Sequence, residues 1–496
     1  MFILRQQLLL SKQLHCSSTR AIISHTKTAT SIVPYKGSGS MTNHIPNTRS
    51  YASHSNITGT QTPRMHHILI VGGGPAGSST AFWLAKSGFK VTVAERSTVA
   101  PYGQGIDITD EAVDVVKKMG LWDEIKANTT GESGFAMVDD VGTEIGSVGT
   151  NPAEEGKMVL SPTNEIEIMR GTLTNIFADA AKKQGAEYRY GCTITNIQQG
   201  DNSVTATLSD TDEPEKFTAI IGADGVASRV RNLTFDKPAT EDCFKQTDTF
   251  VAYFSMEVDP ADQKTYSVLQ HANKGRVIWV RPIDRTGSRV SGYLMVTTTE
   301  SAELQKVARH GTVQEQKVLL ENMFANIGGL REKVVQGMND SKDFYFTRVV
   351  QVKLDAWHRG RCALVGDAGY CPSPLTGQGT TMAVLGAYYL AGELTANPND
   401  PEAAFTNYRK KFEGFVQENG SIPLGGRAPK LVCPQSDLGV WMVRSVFSTM
   451  ARPGFKKLLA SLPSLPSFVP SFGRLDTSPA SCTFACAQKL HRHRRA

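Results

Sequence analysis

Three glycines in the stretch "ILIVGGGPAGSST" stand at a spacing that suits phosphate binding. Gly72, Gly74 and Gly77 follow the apolar run Ile68–Val71 in the pattern G-x-G-x-x-G, where glycine allows positive φ and close approach of a ligand. The helix that follows offers free N–H groups and the positive end of its dipole to a pyrophosphate. Glu95 comes 23 residues after Gly72, where its carboxylate can accept hydrogen bonds from ribose hydroxyls. The unit predicts a site for an ADP-containing dinucleotide.

Two later stretches each place an aspartate directly after a buried strand. In "AIIGADGVASRVR" Asp224 begins the pattern D-G-x-x-S-x-x-R, and in "RCALVGDAGYCPSPLTGQGT" Asp367 follows the strand Cys362–Val365. Ligands bind at the carboxyl edge of parallel strands, although Asp224 also stands where it would cap the next helix. Asp367 could hold a polyol hydroxyl. Gly377 and Gly379 expose backbone N–H groups to a flat ring at a helix start.

The hydrophobic pattern supplies the sheet that these motifs need. Ile68–Val71 and Lys90–Ala94 predict buried parallel strands, and Ser78–Ser87 predicts the helix between them. Residues 246–345 instead show alternating strand patterns and one polar helix around Leu304–Ala325. The sequence predicts an α/β fold in which a Rossmann-type domain, 65–245 and 346–430, carries an inserted, mainly antiparallel sheet that binds substrate, 246–345. A helical segment with a disordered tail, 431–496, completes it.

The basic excess of the chain is confined to its first residues. The net charge is +6, yet residues 1–64 hold seven Lys or Arg and no acidic residue, so the remaining 46 basic residues nearly balance 47 acidic ones. The body therefore gives no electrostatic reason to expect a nucleic acid partner. The disordered leader 1–64 has the composition of a transit peptide and predicts a mitochondrial location; a start at Met65 would predict a cytoplasmic protein.

Cysteine usage and hydropathy exclude other classes of protein. Eight cysteines are scattered without a C-x-x-C pair, which predicts reduced thiols and no metal site. No apolar run reaches 18 residues, so no membrane-spanning helix is expected. The C-terminal stretch "LGVWMVRSVFSTMARPGFKKLLASL" predicts an amphipathic helix that contacts a membrane surface, covers the substrate entrance or docks on the body.

The three motifs occur in an order that resembles one flavoprotein family. They resemble the FAD-binding pattern of single-component (class A) FAD-dependent monooxygenases, with the para-hydroxybenzoate hydroxylase fold, over roughly residues 66–430. "APYGQGIDI", "EIEIMRG" and "CPSPLTGQGT" look most like the branch of fungal and bacterial tailoring hydroxylases that includes tetracycline-modifying enzymes. The resemblance implies FAD as cofactor, NADPH or NADH as transient electron donor, and molecular oxygen. It implies hydroxylation or epoxidation of a hydrophobic or aromatic small molecule in secondary metabolism.

The resemblance also implies which residues contact FAD. Asp224 would stand near the pyrophosphate and the nicotinamide nucleotide, and Asp367 would hold the ribitol. The positions implied for the adenosine ribose and the pyrophosphate are Glu95, Gly72, Gly74, Gly77 and Arg170. The positions implied close to the flavin ring are Gly105, Asp107, Pro374, Gly377, Gly379 and Thr380.

The substrate side is less well defined by the sequence. No second G-x-G-x-x-G follows a strand, so a separate nicotinamide domain is not expected. The chemistry needs no protein nucleophile, and no catalytic acid or base is predicted. Gly369-Tyr370 departs from the Ala-His of many relatives, beside the flavin. The residues that could lie on the substrate sheet are Tyr253, Trp279, Arg281 and Tyr293. Aromatic residues at such positions ordinarily pack in the core.

Two other functions remain open at this point. A mitochondrial ubiquinone-type hydroxylase would suit the leader and would take its electrons from a ferredoxin relay. A non-enzymatic flavin-binding protein belongs to a different class, and the complete "GDAGYCPSPLTGQG" stretch speaks against it. Consumption of NADPH with oxygen by the purified protein separates the monooxygenase from the ubiquinone-type hydroxylase. A bound flavin that no donor reduces would indicate the non-enzymatic protein.

Overall fold

The computed structural model describes residues 66–98, 104–109, 111–150, 163–164, 166–422, 429–430 and 433–452. The predicted leader and the predicted tail beyond residue 452 lie outside these residues. Within the described part of the chain, every helix is too short or too polar to cross a membrane.

Strands and helices alternate along the first and last parts of the chain, and strands dominate the middle. The described strands are β1 (His67–Val71), β2 (Lys90–Glu95), β3 (Gly105–Asp107), β4 (Gly134–Val138), β5 (Glu144–Gly149), β6 (Glu167–Met169), β7 (Glu187–Tyr190), β8 (Ile194–Gln199), β9 (Val204–Leu208), β10 (Glu215–Phe217), β11 (Ala219–Gly222), β12 (Phe244–Glu257), β13 (Tyr266–Ala272), β14 (Arg276–Pro282), β15 (Arg289–Thr297), β16 (Tyr345–Val352), β17 (His358–Arg359) and β18 (Cys362–Leu364). The described helices are α1 (Pro75–Lys86), α2 (Glu111–Met119), α3 (Trp122–Ala127), α4 (Arg170–Lys183), α5 (Arg229–Thr234), α6 (Lys237–Glu241), α7 (Ala302–His310), α8 (Val313–Phe324), α9 (Arg331–Asp340), α10 (Asp367–Tyr370), α11 (Gly379–Ala396), α12 (Pro401–Asn419) and α13 (Asp437–Ala451).

A six-stranded sheet carries the glycine-rich motif. Its order is β17-β18-β11-β1-β2-β7, and all neighbours are parallel except β17 and β18. The central strand β1 is buried from Ile68 to Val71 because layers cover both faces of the sheet. Helices α1, α4 and α11 pack on one face, and the three-stranded sheet β10-β9-β8 covers the other. The predicted α/β fold with a Rossmann-type sheet is confirmed.

A seven-stranded sheet is the second large sheet of the fold. Its order is β16-β12-β15-β14-β13-β4-β5, and all neighbours are antiparallel except β13 and β4. Strands β4 and β5 enter this sheet from the predicted 65–245 segment, and β16 continues past residue 345. The sheet is thus mainly antiparallel, as predicted, but it draws strands from both sides of the insertion. The domain limits stay predictions.

The helices beside this sheet differ from the predicted single helix over Leu304–Ala325. Helices α7 and α8 are separate because α7 ends at His310 with Gly311 as its C-cap, and Thr312 then begins a capping box with Glu315. In that box the side-chain oxygen of each residue accepts a hydrogen bond from the backbone N–H of the other. Helices α7, α8 and α9 cover one face of the sheet with a shared apolar core.

A short two-stranded ribbon, β3 with β6, completes the part of the fold that matters for the site. Gly105 pairs with Met169, and Asp107 pairs with Glu167. Strand β6 leads directly into α4, so Arg170 is the first residue of that helix. The ribbon therefore places the predicted residues Gly105, Asp107 and Arg170 in one substructure.

Candidate functional site

The glycine-rich turn has no room for side chains at two of the three glycines of its G-x-G-x-x-G pattern. Gly72 has φ +101°, and a Cβ there would lie 2.5 Å from the Ala223 carbonyl oxygen on the neighbouring strand end. A Cβ on Gly77 would overlap the carbonyl oxygen of Gly72. Gly74 is the N-cap of α1 and has no side chain to bond the free N–H groups of the first turn. Helix α1 therefore points its open N-terminus at the edge of the sheet, as a pyrophosphate site requires.

Glu95 stands beside this turn at the end of β2. Its Oε2 accepts a hydrogen bond from the Gly73 N–H at 2.6 Å, and its Oε1 accepts one from the Ser97 N–H at 2.7 Å. A carboxylate has about four acceptor positions. The two bonds fix the side chain and leave acceptor capacity for ribose hydroxyls.

Arg170 lies between the glycine-rich turn and the stretch that contains Asp367. Its Nη2 lies 3.9 Å from the position that a Cβ on Gly74 would occupy. Burial raises the pKa of the Asp367 carboxyl, and the positive charge of Arg170 opposes that rise. Gly366, with φ +65°, leaves space for Ala76 of α1, 2.8 Å from its would-be Cβ. Asp367 and the start of α1 thus lie on the same edge of the sheet.

Asp224 uses its carboxylate on its own chain. Its Oδ1 accepts from the Ser228 hydroxyl at 2.5 Å, and its Oδ2 accepts from the N–H groups of Arg229 at 2.6 Å and Val230 at 3.2 Å. Burial raises the pKa of Asp224, and these hydrogen bonds oppose the rise. The capping role weighed at the sequence level is confirmed, and the predicted ligand contact of Asp224 stays a prediction.

Arg231 has a structural importance that the motif alone did not reveal. It is fully buried, and its guanidinium donates to the carbonyl oxygens of Ala368 at 2.9 Å and Val226 at 2.7 Å. The same group lies over the Phe244 ring, 5.0 Å from its centre. Arg231 therefore ties the second motif to the residue that follows Asp367. The spacing of the final arginine in D-G-x-x-S-x-x-R was the available signal.

The loop from Pro374 to Thr380 has an open side. Gly377 has φ +69°, and a Cβ on Gly377 or Gly379 would meet no atom within 4 Å. Ser373 before it also has positive φ, +78°, which is uncommon without glycine and is held by a bond from the Leu375 N–H to its hydroxyl at 3.2 Å. The backbone here can approach a flat ring, as predicted for Pro374, Gly377, Gly379 and Thr380.

Aromatic side chains of the seven-stranded sheet lie next to this loop. Tyr253, Trp279 and Tyr293 come from β12, β14 and β15, and they share an apolar cluster with Leu375. The ring centres are 5.2 Å apart for Tyr253 and Tyr293 and 5.6 Å apart for Trp279 and Tyr293. We call Tyr253, Trp279 and Tyr293 the aromatic face. All three candidates therefore lie where the sheet meets the loop.

Arg281, the fourth candidate on that sheet, is buried in an ion-paired cluster. Its guanidinium contacts Glu132 and Glu167, and its Cζ lies over the Trp279 ring at 4.6 Å. Asp107 is close to the same cluster, where burial raises its carboxyl pKa. Sequence reasoning missed Glu132 and Glu167, although Glu167 lies within the quoted stretch "EIEIMRG".

Tyr370, the departure from the family pattern, points into the helical core. Its ring packs against Trp357 with centres 4.6 Å apart, and its hydroxyl accepts a hydrogen bond from Tyr408 at 2.8 Å. A Cβ on Gly386 of α11 would overlap that hydroxyl. Position 370 is therefore a packing position in this chain.

The structure places no metal site among the residues that it describes. No group of three or more His, Cys, Asp or Glu there is arranged to hold a metal ion. The cysteines with a described environment are unpaired and buried.

The residues present fit an FAD. The turn at Gly72–Gly77 leaves a helix N-terminus open for the pyrophosphate, Glu95 keeps acceptor capacity for the ribose, and the backbone at Gly377 and Gly379 borders open space. Arg170 and Asp367 lie between these two ends. The specific contacts of each residue with FAD stay predictions.

Comparisons with known proteins agree with this reading of the geometry. A family model described as FAD binding domain matches residues 65–411. The chain is 53% identical over 395 residues to monooxygenase CTB7 of Cercospora beticola, covering 79% of this chain and 94% of that protein. It is 33% identical over 405 residues to the FAD-dependent monooxygenase asL4 of Sarocladium schorii, covering 77% of this chain and 92% of that protein.

Solved structures share the fold. The crystal structure of tetracycline destructase Tet(51) has a TM-score of 0.62 at 28% identity and covers 79% of this chain and 99% of its own. Klebsiella pneumoniae HpxO, complexed with FAD and uric acid, has a TM-score of 0.59 at 16% identity and covers 80% and 96%. The chain belongs to the FAD binding domain family of class A flavoprotein monooxygenases and is an FAD-dependent monooxygenase.

Proposed function

We propose that this enzyme inserts one atom of dioxygen into an aromatic small molecule of secondary metabolism, with NADPH or NADH as the transient electron donor. The observation that carries the proposal is the aromatic face beside Leu375 of the flavin-side loop. Stacked and edge-on contacts with such rings favour flat aromatic guests. The name of one similar solved structure, tetracycline destructase, supports the same class of substrate, and the name of the relative CTB7 supports the monooxygenase reaction.

The residues of the chain bind and orient the reactants. Bound FAD supplies the redox chemistry, and the glycine turn, Glu95 and Arg170 hold it at the edge of the six-stranded sheet. The backbone of Pro374–Thr380 presents N–H groups at the start of α11, where the helix dipole stabilises negative charge on a ring. The aromatic face would orient the guest and exclude water from it.

Oxidation of NADPH and of NADH by the FAD-loaded protein tests this proposal. Aromatic compounds that are substrates should accelerate nicotinamide oxidation and oxygen uptake together, and the product mass should rise by one oxygen atom. Reduction that occurs only after a ferredoxin relay is added would favour the ubiquinone-type alternative. A bound flavin that no donor reduces would favour a non-enzymatic role.

We further propose that α13 contacts a membrane surface. Val440 and Phe447 are buried on the body, whereas Trp441 of the same helix is 64% exposed. The side chains that share this exposed apolar face are Leu438, Trp441, Met442 and Val446. Interfacial helices bind lipid through such a face, and Trp favours the boundary between lipid and water.

Vesicle co-sedimentation tests the membrane proposal. The wild type should sediment with anionic phospholipid vesicles, and a Trp441→Gln, Val446→Gln variant should stay in solution. Val313→Gln removes a similarly exposed apolar side chain elsewhere and should have no effect. Equal sedimentation of all three proteins, or of none, would contradict the proposal.

We propose a mitochondrial location from the composition of the leader. A fluorescent protein fused to residues 1–64 should enter mitochondria, and the enzyme started at Met65 should stay in the cytosol. A cytosolic distribution of both would contradict import by this segment.

A further inference from the structure

A buried charged cluster joins the ribbon to the seven-stranded sheet. Arg281 of β14 donates from Nε to Glu132 Oε2 at 3.1 Å and from Nη2 to Glu167 of β6. The exposed fractions of Arg281, Glu132 and Glu167 are 7%, 5% and 1%. Asp107 of β3 lies opposite Glu167 in the ribbon. Two carboxyl groups thus bond one guanidinium, and the third, that of Asp107, lies close enough for its charge to act on it.

One positive charge cannot balance three buried negative charges. Burial raises the pKa of Glu167 well above its ordinary value, Glu132 and Asp107 raise it further, and only Arg281 lowers it. Glu132 and Glu167 bond the same guanidinium, one at Nε and the other at Nη2 of Arg281. Oε1 of each is buried and has no hydrogen-bond donor. Two ionised carboxylates on one buried guanidinium repel each other strongly, whereas one proton between them supplies a donor and removes one charge.

The cluster contacts both halves of the site. On the flavin side, a Cβ on Gly105 would overlap Glu167 Oε1, so strand β3 lies directly against this carboxyl group. Strand β6 continues into Arg170, whose guanidinium borders the glycine turn. On the substrate side, the Arg281 guanidinium stacks on Trp279 of the aromatic face. A change in the charge of the cluster therefore acts on both sides.

We propose that Glu132 and Glu167 share one proton at neutral pH, and that this acid pair, with Arg281, positions the flavin-side ribbon against the sheet that carries the aromatic face. Loss of the proton to solvent leaves two adjacent buried carboxylates and forces the ribbon and the sheet apart. The other titratable groups that face the pair are Asp107, Arg281 and Tyr293. The inference concerns positioning in the monooxygenase and does not depend on which substrate is used.

Infrared difference spectroscopy of the FAD-loaded protein detects the shared proton directly. The wild type minus Glu167→Gln spectrum at neutral pH should show the carbonyl stretch of a protonated carboxyl group. The wild type minus Glu132→Gln spectrum should show it too, because the carboxyl group that remains is ionised beside Arg281. Asp107→Asn, the matched control, should retain the band.

The pH dependence of FAD affinity is the second measurement. FAD binding to the wild-type apoprotein should weaken as the pH rises through the pKa of the pair, by up to about tenfold for each unit by which binding raises that pKa. Glu132→Gln and Glu167→Gln should have a flat profile over this range. The profile of Asp107→Asn should keep its shape and move to lower pH, because the charge of Asp107 raises the pKa of Glu167. A purely structural role would lower affinity equally at every pH.

Two results would overturn the proposal. One is a carboxyl band that persists in both glutamine variants, and the other is a band lost only in Asp107→Asn, which would put the proton on Asp107. If a glutamine variant does not fold, the carboxyl band and the FAD affinity of the wild type are both measured as the pH is raised. Loss of the band in step with loss of FAD affinity supports the pair, and a band independent of pH contradicts it.

Discussion

The FAD side and the substrate side of this enzyme use buried polar groups differently. On the FAD side, the carboxylates of Asp224 and Glu95 accept hydrogen bonds from backbone N–H groups of the turns beside them. On the substrate side, Trp279 Nε1 is buried without a hydrogen-bond partner in the described structure. Unpaired buried groups are costly, so a partner that binds there gains affinity. The first region is organised by the chain alone, and the second is completed by what binds or titrates there.

The largest effect is expected on the FAD side, from Gly77→Val. The new Cβ would overlap the carbonyl oxygen of Gly72, and backbone cannot yield as a flexible side chain does. We expect purified protein without bound flavin, measured as flavin absorbance per protein. Gly414→Ala lies in helix α12 with no atom near its would-be Cβ and should bind FAD normally. A yellow Gly77→Val protein would contradict the assigned role of the turn.

A smaller effect, a loss of stability, is expected where the hydrogen bonds of Arg231 connect two FAD-side loops. Arg231→Met removes the donors to Ala368 and Val226 and leaves one buried and one partly buried carbonyl group unpaired. At about 1–3 kcal/mol for each unpaired group, the free energy of unfolding should fall by about 3 kcal/mol in urea titrations. The control is the exposed neighbour Arg229, since Arg229→Met should change the free energy of unfolding by less than about 0.5 kcal/mol. Equal effects of the two substitutions would show that the hydrogen bonds of the Arg231 guanidinium do not stabilise the fold.

The substrate side should respond in kinetics and not in flavin content. Trp279→Ala removes a ring of the aromatic face, so KM for an aromatic substrate should rise about tenfold, which corresponds to about 1.4 kcal/mol. Bound FAD should be unchanged. Tyr345→Ala removes an exposed ring at the edge of the same sheet and should leave KM unaltered. Loss of FAD from Trp279→Ala would remove the distinction between the two sides.

The smallest expected effect concerns the pH dependence of the FAD-free protein. Burial raises the pKa of Asp367, against the charge of Arg170. A carboxyl group with a raised pKa contributes fully to stability below its unfolded pKa of about 3.9 and loses that contribution as the pH rises through the folded value. Asp367→Asn should therefore gain stability relative to the wild type as the pH rises, by about 1.4 kcal/mol per pKa unit. Parallel melting temperatures across this pH range would contradict the shift.

The glycine positions show what could be predicted from sequence. Gly72 and Gly77 were predicted at the turn because the strand, turn, helix and strand are contiguous, and short-range sterics select glycine there. Asp224 was predicted to cap a helix for the same local reason. By contrast, the helix predicted over Leu304–Ala325 was wrong at Gly311-Thr312, since a polar helix carries little periodic signal across a break.

The charged cluster shows what could not be predicted. Glu132 and Glu167 lie 149 and 114 residues from Arg281 in the chain, and nothing local requires them to meet. Their meeting depends on β4 and β5 joining a sheet whose other strands lie far along the chain. The direction of Tyr370 was equally undetermined, because its ring packs on residues of α12 and on Trp357.

The sequence by itself determined the family, the Rossmann-type sheet and the turns that fit FAD, because each depends on backbone geometry within a few tens of residues. Only the tertiary structure decided that Arg231 joins two motifs, that Tyr370 belongs to the core, and that Arg281 is buried among carboxyl groups. Long-range packing sets which side chains lose water and which charges become neighbours. Those two quantities determine the pKa and the bonding of a polar group, and neither can be read from its neighbours in the chain.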